Sequence, residues 1–219
     1  MYNYLFFDLD GTLTDSHEGI TKSVSYALVS LGYKEPDLDS LFGFIGPPLS
    51  DSFKKYYNMS DDEAKEAIRL YRERYSTVGK YENRPYDGIP KLLCDLKDQG
   101  KKLIIASSKP TEFVVDILKK FGMYDYFDLV QGADMAGLKG TKEAVIEGAM
   151  EMLKINEDNK REVVMIGDRH YDINGARYFG IDSIGVNYGF RQSENELTEA
   201  GATYVVDTVD ELAKLLSRV

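Results

Sequence analysis

Asp8 and Asp10 stand one residue apart at the end of the apolar run Tyr4-Leu5-Phe6-Phe7, followed by Gly11 and Thr12. A short apolar run of this kind reads as a buried strand, and the C-terminal edge of such a strand is where open α/β sheets bind ligands. Two carboxylates so close repel one another. The arrangement is stable when a cation lies between them, or when one acid keeps a proton for catalysis. Gly11 permits a tight turn, and Thr12 offers a hydroxyl and an N–H to an anion. A calcium loop is excluded, because the twelfth position counted from Asp8 is Gly19 and a strand precedes instead of a helix. A second pair of acids, Asp168 and Asp172, follows the apolar run Val163-Val164-Met165-Ile166. Hydroxyls at Ser107 and Ser108 close the run Ile104-Ile105-Ala106, and Lys139 and Lys142 lie between the two segments.

These groups need a scaffold that gathers strand ends. Strand-like runs recur at 4–7, 103–106, 127–130, 163–166, 183–186 and 204–206, with helical patterns between most of them. One helical pattern, Phe113-Val114, Ile117-Leu118 and Phe121, ends at Gly122, a suitable C-terminal cap. The alternation predicts an α/β fold with a parallel, doubly wound, Rossmann-like sheet and right-handed crossovers. Residues 16–84 break it. They hold helix-like stretches near 18–31, 49–57 and 60–76, the last opening with the capping box Ser60-Asp61-Asp62-Glu63, and no convincing strand. The expected organisation is therefore a core of 1–15 and 85–219 with a helical domain of 16–84 inserted after the first strand.

Composition fits a soluble protein of 219 residues, 43% hydrophobic and 29% charged, long enough for one sizeable core and a smaller appended unit. No apolar run reaches the roughly 20 residues of a membrane helix, and no basic-then-apolar leader is present, so the expectation is a cytoplasmic protein, monomeric or weakly dimeric. The lone Cys94 excludes an internal disulfide and a cysteine-rich zinc site. A net charge of −10 argues against a nucleic-acid polymer as partner while leaving room for a small anion held by local cations.

The motifs, taken in order, resemble those of the haloacid-dehalogenase superfamily. Asp8-Leu9-Asp10-Gly11-Thr12-Leu13 resembles its first motif, the strand ending in Ser107 its second, Lys142 or Lys139 its third, and Gly167-Asp168-Arg169-His170-Tyr171-Asp172 its fourth. The resemblance runs from about Tyr4 to the C-terminus. It implies Asp8 as nucleophile and Asp10 as general acid/base, with Ser107 and a lysine on the phosphate; Thr12 and Ser108 are further phosphate-binding candidates. It also implies a metal site of Asp8, Asp168, the Asp10 backbone carbonyl and Asp172. Hard oxygen ligands of this kind suit Mg²⁺. The usual Lys-Pro signature is missing; Lys142 is preferred because it would open the following helix. His170 lies between two acids, but magnesium disfavours imidazole, so a surface role is expected.

The inserted helices resemble the α-helical cap of phosphoglycolate-phosphatase-like members, hinged near 14–16 and 81–87. In the cap, Gly43-Phe44-Ile45-Gly46-Pro47-Pro48 forms a rigid turn, with Phe44 as the candidate specificity residue. The implied function is a magnesium-dependent phosphomonoesterase acting on a small phosphate ester, phosphoglycolate or a nucleoside 5′-monophosphate, through an aspartyl-phosphate. A sugar phosphomutase would share all four motifs. Dehalogenases and phosphonate-cleaving members lack the second acid, so Asp10 counts against both. A phosphate-sensing module without catalysis would be expected to have lost an acid, and none is lost.

Overall fold

The computed structural model describes residues 1–135 and 140–219. Six parallel strands form the central sheet in the order β5-β4-β1-β6-β7-β8: β1 Tyr4–Phe7, β4 Lys102–Pro110, β5 Leu129–Ala133, β6 Val163–Gly167, β7 Asp182–Val186 and β8 Tyr204–Val206. The central place of β1 follows from its sequence. Four consecutive apolar side chains leave no polar face, so the strand is stable only when both faces are covered. Leu5 and Phe7 point into one layer with Ile89, Leu92, Val114, Ile117 and Leu212, contributed by α4 Ile89–Asp98, α5 Thr111–Lys120 and α9 Val209–Leu216. Phe6 points the other way, to Val145, Ile146 and Ala176 on α6 Lys142–Leu153 and α7 His170–Phe179. The expected doubly wound fold is present, with helices on both faces.

The switch in chain direction lies beside β1. From β1 the chain builds β4 and β5 on one side, then crosses back to pair β6 with the other edge of β1. A crevice opens at the C-terminal ends of strands at such a point.

Between β1 and β4 the chain forms α1 His17–Ser30, α2 Leu49–Tyr57 and α3 Asp61–Tyr75. Their apolar stripes make a separate hydrophobic cluster that includes Val24, Leu28, Phe44, Phe53, Leu70 and Tyr75, and that reaches the core through Phe113. The Ser60 capping box is formed: Glu63 N–H donates to the Ser60 hydroxyl, and Ser60 N–H to the Glu63 carboxylate at 2.8 Å. The connections carry a two-stranded antiparallel ribbon, β2 Thr14–Asp15 with β3 Arg84–Pro85, tied by Arg84 and Asp15. Two residues per strand are too few to show a period, so sequence pattern misses this ribbon. A short helix, α8 Glu196–Ala200, packs Leu197 beside β7. Among the described residues no helix is long and apolar enough to cross a membrane.

Candidate active site

Four charged side chains meet beneath the crevice. Asp8 leaves the end of β1 with its N–H on the Ile166 carbonyl, 2.9 Å away. Asp168 follows β6, and Asp172 sits in the first turn of α7 with its carboxylate on the Arg169 N–H at 3.0 Å. All three are buried, and one oxygen from each lies within 4.8 Å of the others. Glycine makes the approach possible. Gly11 has φ +85° and a Cβ there would fall on the Asp168 carboxylate; a Cβ at Gly167 would fall on Asp172. Lys142, the first residue of α6, reaches in to 3.0 Å from Asp8 and 2.7 Å from Asp172, and donates to the Ala106 carbonyl at 3.0 Å. Thr141 caps that helix, so the lysine's place is set by the cap.

The charges do not balance. Among the described residues three carboxylates face one ammonium, which leaves two negative charges in excess in a buried volume when all three acids are ionised. Burial, with the charges of Asp172 and Asp8, holds Asp168 well above the usual carboxylate range. Burial and Asp8 likewise push Asp172 up to about 6 against the pull of Lys142. For Lys142, burial alone would lower the ammonium, but Asp172 and Asp8 outweigh it and the group is raised. An oxygen-only donor set short of two positive charges fits a divalent hard cation.

Asp10 belongs to a different environment. Its carboxylate is outside the acid trio and pairs through Oδ2 with Lys109 at 2.6 Å, while Oδ1 has no hydrogen-bond partner among the described residues. Lys109 is itself buried, and its ammonium lies 4.9 Å from the centre of the Tyr75 ring. The sequence assigns Lys109 no role, because the strand-like run covers 103–106 and the motif ends the strand at Ser107. The strand instead runs on to Pro110, with a register shift between Ala106 and Pro110 that turns the lysine inward. Asp10 and Lys109 line a cavity of about 530 Å³ whose other walls include Phe44, Arg72 and Tyr75 from the inserted helices and Ser108 and Phe113 from the core.

The remaining candidates divide. Ser107 is buried at the end of the β4 core segment and accepts from the Lys109 N–H at 3.4 Å. The Thr12 hydroxyl is committed to Asp168 at 3.2 Å, and Phe190 N–H holds the other Asp168 oxygen at 2.7 Å. Phe44 lines the cavity and is at the same time packed on Phe53, Tyr56 and Tyr57. His170 is half-buried on Glu196 at 2.6 Å, away from the acids. Lys139 lies outside the described residues. Arg169, given no role by its sequence, is buried between Glu196 at 3.0 Å and the Ile45 carbonyl at 2.6 Å, and so ties the residue after Asp168 to the inserted helices.

A family model for haloacid dehalogenase-like hydrolases matches residues 5–186. The chain belongs to this family. Among its relatives, a 5′-nucleotidase of Pseudomonas aeruginosa is 41% identical over 98% of this chain and 96% of that protein. The tyrosine-protein kinase PtkA of Mycobacterium tuberculosis is 36% identical over 97% of this chain and 72% of its own length. The crystal structure of a predicted phosphatase from Clostridium acetobutylicum is 50% identical and matches with a TM-score of 0.95, each chain covered in full. As a haloacid dehalogenase-like hydrolase, the protein carries its acids on the ends of β1 and β6 and a cavity roofed by the helices inserted between β1 and β4.

Proposed function

We propose that this hydrolase is a magnesium-dependent phosphomonoesterase for small metabolites, a nucleoside 5′-monophosphate or phosphoglycolate, working through an aspartyl-phosphate on Asp8. One observation carries the reading: two acids one residue apart are sorted into opposite surroundings. Asp8 joins the acid trio and Lys142, whereas Asp10 lines the cavity with one oxygen on Lys109 and the other, buried, without a hydrogen-bond partner among the described residues. That separation is what a nucleophile and a proton-transferring acid require.

Asp8 attacks phosphorus in line, Asp10 gives a proton to the departing alcohol and then takes one from the attacking water, and Lys142 steadies Asp8 and the transferring phosphoryl. Ser107 and Ser108 offer hydroxyls to the phosphate. Asp8 and Asp168, with Asp172 and the Asp10 carbonyl, would hold the magnesium, which supplies charge neutralisation for the phosphate oxygens. Residues 16–84 serve as a cap over the core of 1–15 and 85–219, excluding bulk water and selecting substrates by size.

The phosphatase class agrees with the relative named a 5′-nucleotidase and the neighbour named a phosphatase. A cavity of about 530 Å³ is of the size that encloses small ligands, and it has room for a nucleotide. Phosphate release from AMP, phosphoglycolate, glucose 1-phosphate and p-nitrophenyl phosphate, with magnesium and with EDTA, tests the proposal. Turnover of at least one small ester that EDTA silences and Mg²⁺ restores is the expected result. Full activity in EDTA overturns the metal role, isomerisation of glucose 1-phosphate without release makes the protein a mutase, and transfer from ATP to a tyrosine peptide would place it with PtkA.

A further inference from the structure

Tyr75 closes α3 and is 1% exposed. Its ring is fixed on three sides: Tyr71 stacks on it at 5.0 Å and 14°, Phe113 meets it edge-on at 5.3 Å, and the Lys109 ammonium sits over it at 4.9 Å. A ring held so firmly has no freedom to seek a partner. Its hydroxyl has none among the described residues, although the side chain is part of the cavity wall shared with Asp10 and Lys109. Burial, then the charge of Asp10, keeps the phenol far above its ordinary titration range, so it stays a donor.

An unpaired buried hydroxyl is costly, and such a cost persists where a ligand repays it. The same wall holds a second unpaired atom, Asp10 Oδ1, an acceptor. Lys109 touches both residues and keeps N–H donors beyond the one it gives Asp10. Orphan donor, orphan acceptor and shared ammonium form a polar patch beside the aromatic side chains of Phe44, Tyr71 and Phe113, with Arg72 and Ser108 elsewhere in the same wall.

We propose that Tyr75 and Lys109 form a subsite for the leaving group, with the Tyr75 hydroxyl donating to an oxygen borne by the carbon next to the ester carbon. The inference rests on the phosphomonoesterase reading and narrows it: AMP has its ribose ring oxygen at that place and phosphoglycolate its carboxylate, whereas phenyl phosphate has no such oxygen. Asp10 Oδ1 is then the atom that exchanges the proton with the ester oxygen. Lys109 is a positioning residue, holding Asp10 by Oδ2 so that Oδ1 faces the substrate.

The test is Tyr75→Phe, which deletes one oxygen and keeps the packed ring. kcat/KM on AMP and phosphoglycolate should fall about tenfold or more, since a buried acceptor on the substrate loses its donor, and the loss on phenyl phosphate should stay under about threefold. Losing an orphan donor should leave the melting temperature of the ligand-free protein unchanged or raise it by roughly 2–4 °C. Calorimetric binding of AMP in EDTA, where turnover is blocked, should weaken about fivefold or more in the variant. Equal losses on all three esters, or a fall in melting temperature with unchanged AMP binding, would make Tyr75 structural and sink the subsite while the phosphatase reading stands. A wild type that hydrolyses no ester with Mg²⁺ sinks the phosphatase reading; AMP binding by wild type and variant then still decides whether Tyr75 touches the ligand.

Discussion

The acid cluster at the strand ends, the floor of the site, and the helical roof of the cavity are built on opposite plans. On the floor, Asp8, Asp168 and Asp172 crowd around Lys142, three acids to one ammonium among the described residues, each carried by a strand end or a first helical turn. The roof is an aromatic cluster of Phe44, Phe53, Tyr71 and Tyr75 whose cations are mostly spent on neighbours, Arg69 on Glu66 and Glu73, Lys65 on Asp62. Charge stress belongs where a cation and a phosphoryl group arrive; apolar packing belongs where shape is selected. Changes to the floor should therefore strike the chemical step and its cation, and changes to the roof should strike affinity, ranking of substrates and stability.

The sharpest way to break this contrast is Asp8→Asn. The amide keeps the shape and loses the nucleophile, so turnover should drop to below about one-thousandth on every ester alike, with the circular-dichroism spectrum unchanged. A residual rate within tenfold of wild type on any ester would mean that the floor is not where the bond is made.

Lys142→Met comes next. Removing the ammonium leaves three buried carboxylates facing one another, and stripping one partner from such a group costs about 3–5 kcal/mol. For a chain of this size the melting temperature should fall by about 10 °C. Millimolar Mg²⁺ should recover part of the loss, because a cation that binds only the folded state stabilises it by mass action. A metal-free variant as stable as wild type would show that the acids are already neutral and that the floor carries no stored charge.

How much of this was legible in the sequence follows the same division. Asp8, Asp10, Asp168 and Asp172 could be named because each follows an apolar run at fixed spacing, and local backbone geometry carries the first three past the strand ends and Asp172 into the first turn of α7. Lys142 was preferred for opening its helix, and it does so. Lys109 was missed because its side chain is aimed by an irregular stretch of β4 that no periodic pattern reveals. The period of α3 marks Tyr75 as buried but says nothing of which core residue it will meet, since its contact with Lys109 spans from the insertion to the sheet. Arg169 has no role assigned by its sequence, yet it bridges to Ile45, a pairing set by tertiary structure alone.

Phe44 sharpens the roof side of the comparison. It lines the cavity and anchors the ring cluster, so Phe44→Ala confounds both roles: truncating a buried Phe costs about 3–5 kcal/mol by itself. Phe44→Leu keeps most of the volume. It should lower the melting temperature by only a few degrees and shift the ratio of AMP to phenyl phosphate turnover by about two- to fivefold, the worth of a modest apolar contact. A uniform change across esters would assign Phe44 to packing and leave selection to the polar patch.

The smallest effect lies where roof and floor are tied. Glu196 accepts from the N–H groups of His170 and Gln192, from the His170 ring and from Arg169, whose other end holds the Ile45 carbonyl. Burial alone would raise this carboxyl, but those donors outweigh it and pull it down to about 2 from its ordinary 4.5. A depressed carboxyl stabilises the fold above its unfolded value and loses that contribution as pH falls toward its folded value. The window is therefore pH 4.5 down to 2. Glu196→Gln removes the charge at every pH, so its deficit in melting temperature should be a few degrees at pH 6, shrink steadily below pH 4.5 and nearly vanish near pH 2, where the wild-type acid is itself protonated. Other carboxylates titrate in both proteins and cancel in the difference. A deficit that stays constant across that range would mean that Glu196 supports the Arg169 bridge by shape alone, and that the tie between roof and floor does not depend on its charge.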